Sequence, residues 1–228
     1  MKLKTLLCTG AIAGAFWVNQ ALATQVTMET FSSGVSGNYR ADPSNDFAWV
    51  LGDYVNGKTT DGTWFGTFCV ETDEFFSPGS TYDVGLSYQA FGGGFNSNTG
   101  DTLSKGTAFL YSQFARGILS GFTYNNSASA TNLQNMIWWL EDENVPDQSA
   151  NPFAGLLTTQ FGSLANAKLD VDSSGSGYGV MVMNLTSDHG RILNQDQLVY
   201  VPDGGLTIAL LGMGLLSLSL IRRRMRTV

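Results

Sequence analysis

The stretch LQNMIWWLEDE, residues 133–143, combines an apolar helical stripe with polar residues in unexpected places. Leu133, Met136, Ile137 and Leu140 follow the spacing i, i+3, i+4 and i+7, which puts them on one face of an α-helix. This face predicts a helix that packs against a core. Gln134 stands beside the stripe, where its amide would be costly to bury without hydrogen-bond partners. Two interpretations are open: Gln134 is a surface residue, or it has a chemical role.

The composition predicts one extracytoplasmic domain with many turns. The chain has 228 residues, of which 43% are hydrophobic and 27 are glycine. A chain of this size can bury a substantial core. Residues 24–221 contain all 19 acidic residues but only six of the 12 basic ones, a formal charge of −13. Such a body repels phosphate backbones, so we expect no nucleic-acid binding.

The residue patterns predict an α+β fold. Alternating or β-branched segments predict strands at residues 25–31, 47–55, 63–76, 81–87, 180–185 and 197–201, and the Gly/Ser/Asn-rich residues 32–44 predict a loop. Apolar periodicity predicts helices at residues 102–119, from 129 or 131 to near 143, and from 153 to 164. We therefore expect an antiparallel β-rich core, a barrel or a sandwich, with an inserted bundle of about three helices and no second domain.

The two chain ends predict export. Residues 1–23 have a basic start, an apolar run and a small-x-small ending, Ala21-Leu22-Ala23. This order is typical of a signal peptide that signal peptidase removes before Thr24. Residues 206–221 are uncharged and are followed by an Arg-rich tail, residues 222–228. They predict a short transmembrane helix, with its arginines on the cytoplasmic side.

The C-terminal 28 residues resemble the PEP-CTERM sorting signal of Gram-negative bacteria. The motif is Val201-Pro202-Asp203-Gly204-Gly205, followed by the apolar segment and then by a basic cluster that begins with Arg222, Arg223 and Arg224. The resemblance implies that an exosortase processes the precursor at the inner membrane. The product would then reach the cell envelope, the outer surface or the extracellular matrix. Asp203-Gly204-Gly205 replaces the commoner Glu-Pro, which leaves the processed bond open.

Several candidate sites lack a residue that their chemistry requires. His189 is the only histidine and lies in a polar turn, so neither a histidine-based triad nor a histidine metal site can be built. The segment DVDSSG, residues 170–175, begins like a calcium loop but has Met181 where a bidentate Glu is required. Glu141, Asp142 and Glu143 are predicted to form a solvated face. We expect no enzyme activity, no metal and no cofactor.

The mature chain would keep a single cysteine, Cys69, because Cys8 leaves with the signal peptide. One interpretation is a small buried hydrophobe without reactivity. A sharper one pairs it with Gln134. A Cys sulfur that attacks the side-chain carbonyl of a Gln expels ammonia and leaves an internal thioester. That bond requires a fixed geometry and shielding from water. Trp138 and Trp139 could supply the shielding.

Three motifs in order resemble the thioester domains of Gram-positive surface adhesins. They are Phe68-Cys69-Val70, then Ser112-Gln113-Phe114-Ala115 in place of a TQxA element, then Leu133-Gln134 with Ile137-Trp138. The resemblance implies a cross-link between Cys69 and Gln134, with Ser112 and Gln113 as a supporting element. It also implies an amine or hydroxyl on a surface or matrix partner as the target.

Two functions follow from these patterns. One is an adhesin that binds a partner covalently through its thioester. The other is a non-catalytic protein of the exopolysaccharide or biofilm matrix, in which Cys69 is inert and aromatic residues contact glycans. A hydrolase is disfavoured because no nucleophile and base form a recognisable set.

Overall fold

The computed structural model describes residues 24–30, 39–44, 51, 64–92, 100–173 and 175–201 of the chain. Among these residues, no helix is long and apolar enough to cross a membrane. The predicted signal peptide, the strand at residues 47–55 apart from Leu51, the transmembrane helix at 206–221 and the Arg-rich tail lie outside the described residues. The described residues all belong to the predicted domain at residues 24–200, apart from Val201.

The core of the fold is a six-stranded antiparallel sheet in the order β3-β2-β1-β4-β7-β8. A two-stranded sheet joins β5 to β6. The predicted strands at the two ends of the domain are confirmed, whereas the predicted loop at residues 32–44 is wrong over β2. The strand bounds are β1 Thr24–Thr30, β2 Tyr39–Pro43, β3 Phe65–Thr67, β4 Ser80–Ser87, β5 Gln89–Ala90, β6 Asp101–Thr102, β7 Val180–Ser187 and β8 Ile192–Tyr200.

The large sheet curls into a half-barrel, and the chain just after β3 ties its two edge strands together. Leu198 of β8 donates its backbone N–H to the carbonyl oxygen of Phe68 at 3.1 Å. Val70 donates its own to the carbonyl oxygen of Asp196 at 3.0 Å. Cys69 and Gln197 lie opposite each other in this antiparallel bridge. The expected antiparallel core is confirmed, in a curled form rather than a two-sheet sandwich.

Four helices are present in the described part of the chain, against about three predicted. The first begins at Lys105 and not at residue 102, because Ser104 caps it by accepting a hydrogen bond from the backbone N–H of Thr107. The third predicted helix is divided because Gly162 ends it in the left-handed conformation. The bounds are α1 Lys105–Ala115, α2 Ser127–Leu140, α3 Ala154–Phe161 and α4 Leu164–Ala167.

The helices pack against one side of the half-barrel. Helix α1 contacts β7 and β8. Its Tyr111 and Phe114 meet the ring of Phe68 edge-on, with ring centroids 6.4 and 5.0 Å away. Helices α1 and α2 approach closely at Gly106, where a Cβ would lie 2.8 Å from Cδ2 of Leu140. This packing fixes α2 relative to the segment that contains Cys69.

Candidate functional site

Cys69 lies at the point where the half-barrel is closed. Its neighbours Phe68 and Val70 make the backbone hydrogen bonds to β8. Successive residues of an extended chain direct their backbone groups to opposite sides. The N–H and C=O of Cys69 therefore point away from β8 and toward α2, and each needs a partner there because the residue is 1% exposed.

Gln134 of α2 is that partner. The backbone N–H of Cys69 donates to Oε1 of Gln134 at 3.0 Å. Nε2 of Gln134 donates in return to the carbonyl oxygen of Cys69 at 2.7 Å. Gln134 is itself 1% exposed, so the surface interpretation of this residue is wrong. The structure thus brings together two residues that lie 65 positions apart in the sequence.

The Cys69 thiol is unpaired and fully enclosed. Burial raises its pKa to about 12, and a hydrogen bond from Nε2 of Gln197 to Sγ partly opposes this rise. The distance between Nε2 and Sγ is 3.2 Å. At neutral pH the sulfur is therefore a protonated thiol and does not resemble the exposed, low-pKa cysteine of a redox enzyme.

Two buried glutamates link the Cys69 segment to the end of α2. Glu143 accepts hydrogen bonds from the backbone N–H of Thr72, at 3.0 Å, and from the Thr72 hydroxyl. Burial, and after it the neighbouring Glu143, raise the pKa of Glu71 to about 9. Glu71 therefore holds a proton at neutral pH.

The predicted solvated face at residues 141–143 is wrong for two of its three members. Glu141 is 4% and Glu143 is 5% exposed. Glu141 accepts a hydrogen bond from the Ser104 hydroxyl at 2.7 Å, so it holds the start of α1 against the end of α2. Burial raises its pKa to about 7, although hydrogen bonds from Thr107 and Ser104 lower it. Adjacent carboxylates can be buried here because the surrounding backbone and hydroxyl groups donate to them.

The tryptophans of α2 are half-buried. The ring of Trp139 lies under the ammonium of Lys168, which is 4.1 Å from the ring centroid. The indole Nε1 of Trp138 is buried and has no hydrogen-bond partner. The predicted shielding of the Cys69–Gln134 pair by these rings stays a prediction, because the contacts known for them lie elsewhere.

Ser112 and Gln113 lie away from the pair, at a cleft of about 450 Å³ between α1 and the ends of β7 and β8. The Ser112 hydroxyl donates to the carbonyl oxygen of Phe109 in its own helix at 2.9 Å. It does not contact Cys69 or Gln134 through a hydrogen bond. The supporting role that the resemblance implied for these two residues is therefore untested, and their observed place is the wall of the cleft.

The residues of the sorting motif lie outside the described part of the chain, except for Val201. Val201 is 2% exposed and donates its N–H to the carbonyl oxygen of Gly179 at 2.7 Å. The motif thus begins at a residue that is packed into the domain.

Gln197 was missed in the sequence. It is fully buried on β8 and is the side chain in hydrogen-bond contact with Sγ of Cys69. A signal was present, since the polar run Asn194-Gln195-Asp196-Gln197 leads into the strand predicted at residues 197–201. Polar residues at the start of a core strand indicate buried hydrogen-bonded groups.

Comparison with known proteins identifies the C-terminal segment. Residues 200–225 match the VPDSG-CTERM motif, a sorting signal of the PEP-CTERM kind. The chain has Gly204 where the name of the motif has serine. Neither a curated protein nor a solved structure matches the chain significantly. The resemblance to thioester domains gains no support from these comparisons.

The sorting signal indicates a protein that is exported to the cell envelope or surface and is sorted by an exosortase. The match covers the end of the chain and carries no information about the chemistry of residues 24–199.

Proposed function

We propose that this exported protein attaches covalently to a partner through an internal thioester between Cys69 and Gln134. The observation that carries the proposal is the paired hydrogen bonding of the Gln134 carboxamide to both backbone groups of Cys69, at 3.0 and 2.7 Å. A carboxamide held in two places cannot rotate freely beside the thiol. Such fixed proximity makes a slow reaction between weak partners feasible.

The reaction balances without any co-reactant. Sγ of Cys69 attacks Cδ of Gln134, the Cδ–Nε2 bond breaks, and the thiol proton leaves with the nitrogen as ammonia. Both side chains are 1% exposed, so water is kept from the thioester. A nucleophile on the partner later attacks Cδ and returns the sulfur to a thiol. The protein acts once and is not an enzyme.

The exported state suits this chemistry. The sorting signal directs the protein to the envelope or surface, where a partner or matrix polymer can be reached. Before that, signal peptidase and the exosortase would process the precursor, which the residues 206–221 would hold in the inner membrane.

We expect the intact mature protein to be lighter than its sequence mass by the mass of one ammonia molecule, because thioester formation releases it. Cys69→Ala should show its full calculated mass. Methylamine should add to the wild-type protein at residue 134 and free the Cys69 thiol, as peptide mapping by mass spectrometry would show. A wild-type protein of full mass, with a thiol that reacts only after unfolding, would sink the proposal.

A second function is favoured by the cleft beside Ser112 and Gln113. Half-buried Phe109, Tyr178 and Tyr200 line it, together with the amides of Gln113 and Gln160 and the guanidinium of Arg116. Flat aromatic faces beside planar hydrogen-bonding groups are suited to the two faces and the hydroxyl edge of a sugar ring. A matrix protein could hold a glycan there without covalent chemistry.

Glycan binding at the cleft predicts that Tyr178→Ala weakens retardation of the protein in affinity gels by about tenfold in apparent Kd, since an aromatic contact is lost. The gels would contain a neutral β-glucan, a galactomannan or a polyuronate. Phe75→Ala is the matched control, because Phe75 is an aromatic that is 78% exposed outside the cleft. Migration of the wild type that is unaffected by all three glycans would contradict this function.

A further inference from the structure

Gln197 contacts the reacting sulfur through one end of its side-chain amide. The other end of the amide has no partner in the fold. Its Nε2 donates to Sγ of Cys69 at 3.2 Å. The same nitrogen is 3.5 Å from the carbonyl oxygen of Gln195, which fixes the end of the amide that faces the sulfur. Its Oε1 is buried without a hydrogen-bond partner. Gln197 is 0% exposed.

An acceptor in this position is an anomaly. A buried polar atom without a partner destabilises a protein, and most buried polar atoms in folded proteins have a hydrogen-bond partner. An aliphatic residue would fill the same strand position without that penalty. The free oxygen is therefore available to a donor that arrives during function, close to Sγ of Cys69.

We infer that Gln197 takes part in the thioester chemistry with both ends of its amide and selects a primary amine as the nucleophile. Its N–H holds the sulfur and stabilises the negative charge that develops there when the thioester forms and when it opens. Its oxygen accepts one N–H of the amine that enters or of the ammonia that leaves. This inference rests on the proposed thioester and narrows the class of its target.

The preference for a primary amine follows from counting protons. During opening, the amine nitrogen attacks Cδ of Gln134, the Cδ–Sγ bond breaks, and one amine proton ends on Sγ. A primary amine has a second N–H, which can stay bound to Oε1 of Gln197 throughout. A secondary amine or an alcohol has only the proton that must move to the sulfur. Only the primary amine of these three can satisfy both needs.

The state of the thiol supports this role. Burial raises the pKa of Cys69 to about 12, and the hydrogen bond from Gln197 is the one influence that lowers it. A sulfur in such surroundings is a poor leaving group unless a hydrogen-bond donor stabilises the charge that develops on it. Loss of a single donor to a developing charge slows known reactions by about 100-fold to 1000-fold. Since a sulfur anion is a weaker acceptor than an oxyanion, we expect about tenfold to 100-fold here.

The test uses the full mature protein and the variant Gln197→Met. Methionine has a similar length, adapts to its surroundings and offers neither a donor nor a strong acceptor. The rates of opening by methylamine and by dimethylamine are followed by intact mass. We expect the wild type to favour methylamine strongly. In the variant, opening by methylamine should be about tenfold to 100-fold slower, and the preference over dimethylamine should shrink.

The decisive quantity is the ratio of the rates of opening by methylamine and by dimethylamine. A general loosening of the core would change both rates together and leave their ratio unchanged. Gln195→Met is the matched control, since Gln195 lies on the same strand and bonds the Glu71 carbonyl oxygen at 2.9 Å instead of the sulfur. If Gln197→Met does not fold, as judged by circular dichroism, Gln197→Glu keeps the shape and the acceptor while it removes the donor. Gln197→Glu should keep the preference for methylamine over dimethylamine, but its thioester should open more slowly than that of the wild type.

The outcomes separate the two proposals. If the wild-type protein has its full calculated mass, no thioester is present, and both the proposed function and the role of Gln197 are contradicted. A wild type that is cross-linked, with Gln197 variants that form and open the bond at the same rates and with the same preference, overturns the role of Gln197 alone.

Discussion

Raising the pH from about 5 to about 9 should lower the free energy of unfolding of this protein by several kcal/mol, a large part of the stability of an ordinary domain. The reason is a set of buried carboxyl groups that bind protons in the folded state. They are Glu71, Glu141 and Asp196, each no more than 4% exposed. Ordinary carboxylates are ionised in both the folded and the unfolded state in this range, so they contribute no such pH dependence.

The direction follows from the pKa values. Burial raises the pKa of Glu71 to about 9, that of Asp196 to about 8 and that of Glu141 to about 7. The unfolded chain releases these protons near pH 4 to 4.5, since the ordinary pKa values of Asp and Glu are 3.8 and 4.5. Between the unfolded and the folded pKa, the folded state binds more protons. Stability is therefore complete below about pH 4 and is lost as the pH rises through the folded pKa values.

The hydrogen bonds of each group explain why the effect differs among them. Asp196 accepts from the backbone N–H groups of Phe91, at 2.6 Å, and Leu185, at 3.3 Å, and these bonds favour its ionised form. Glu71 keeps its proton because burial, and after it the charge of the neighbouring Glu143, raise its pKa. Removal of that proton leaves two facing carboxylates in the core, so Glu71 should contribute most.

Urea unfolding curves at several pH values, followed by tryptophan fluorescence, would measure this. Glu71→Gln keeps the shape and an N–H donor for Glu143 but cannot ionise, so it should flatten the pH dependence and unfold at higher urea than the wild type at pH 9. The control is Asp147→Asn, because Asp147 is exposed and hydrogen bonds from Ser149 lower its pKa. A wild type that becomes more stable from pH 5 to 9 would show that these groups are ionised in the folded protein.

These carboxyl groups also show where sequence reasoning fails. Three consecutive acidic residues after an apolar helix predict a solvated face. Here α2 ends at Leu140, and the chain turns inward at Asp142, which has a positive φ of 57°. The turn carries Glu143 to Thr72 and leaves Glu141 at Ser104. Neither partner is close in sequence, so no local pattern contains the information.

The strands illustrate the same limit. β1 and β4 were predictable because their apolar residues alternate, and β7 and the end of β8 because their apolar residues follow one another. β2 was missed because its sequence, YRADP, has only Ala41 as a buried apolar residue. It is a strand because five of its residues pair with β1 in register. Tertiary pairing decides such a segment, and propensity does not.

At the candidate site, the sequence identified Cys69 and Gln134 by residue type and order. It did not identify Gln197, because a glutamine in a strand has no signature of its own. The pairing of residue 69 with residue 197 depends on the closure of the half-barrel, which links positions 128 apart. The polar run before the strand was the only local sign.

The second large effect concerns the cross-link itself, which should stabilise the protein by about 4 kcal/mol over a variant that cannot form it. A bond between Cys69 and Gln134 closes a loop of 65 intervening peptide links. Closing a loop of that length restricts the unfolded chain, and this restriction is the main source of stabilisation by covalent cross-links. Cys69→Ser is the reference, since serine is nearly isosteric with cysteine.

Loss of packing at Cys69 could imitate this result, so the slope of the unfolding curve matters as much as its midpoint. A cross-linked unfolded chain is more compact and exposes less surface, which lowers the denaturant m-value. Cys69→Ser should therefore unfold at lower urea and with a steeper slope. A packing defect alone would shift the midpoint and leave the slope unchanged. Equal slopes for the two proteins would argue against a cross-link.

Unfolding should also leave a chemical record in the wild type. Once the core opens, water reaches the thioester and hydrolyses it. The carbonyl carbon then keeps a water oxygen, so residue 134 becomes glutamate, and Cys69 regains its proton. A protein that has been unfolded and refolded should contain Glu at position 134 by peptide mapping, and its second unfolding curve should resemble that of Cys69→Ser. Recovery of glutamine at that position after the first cycle would mean that no thioester was present, because hydrolysis cannot restore the nitrogen.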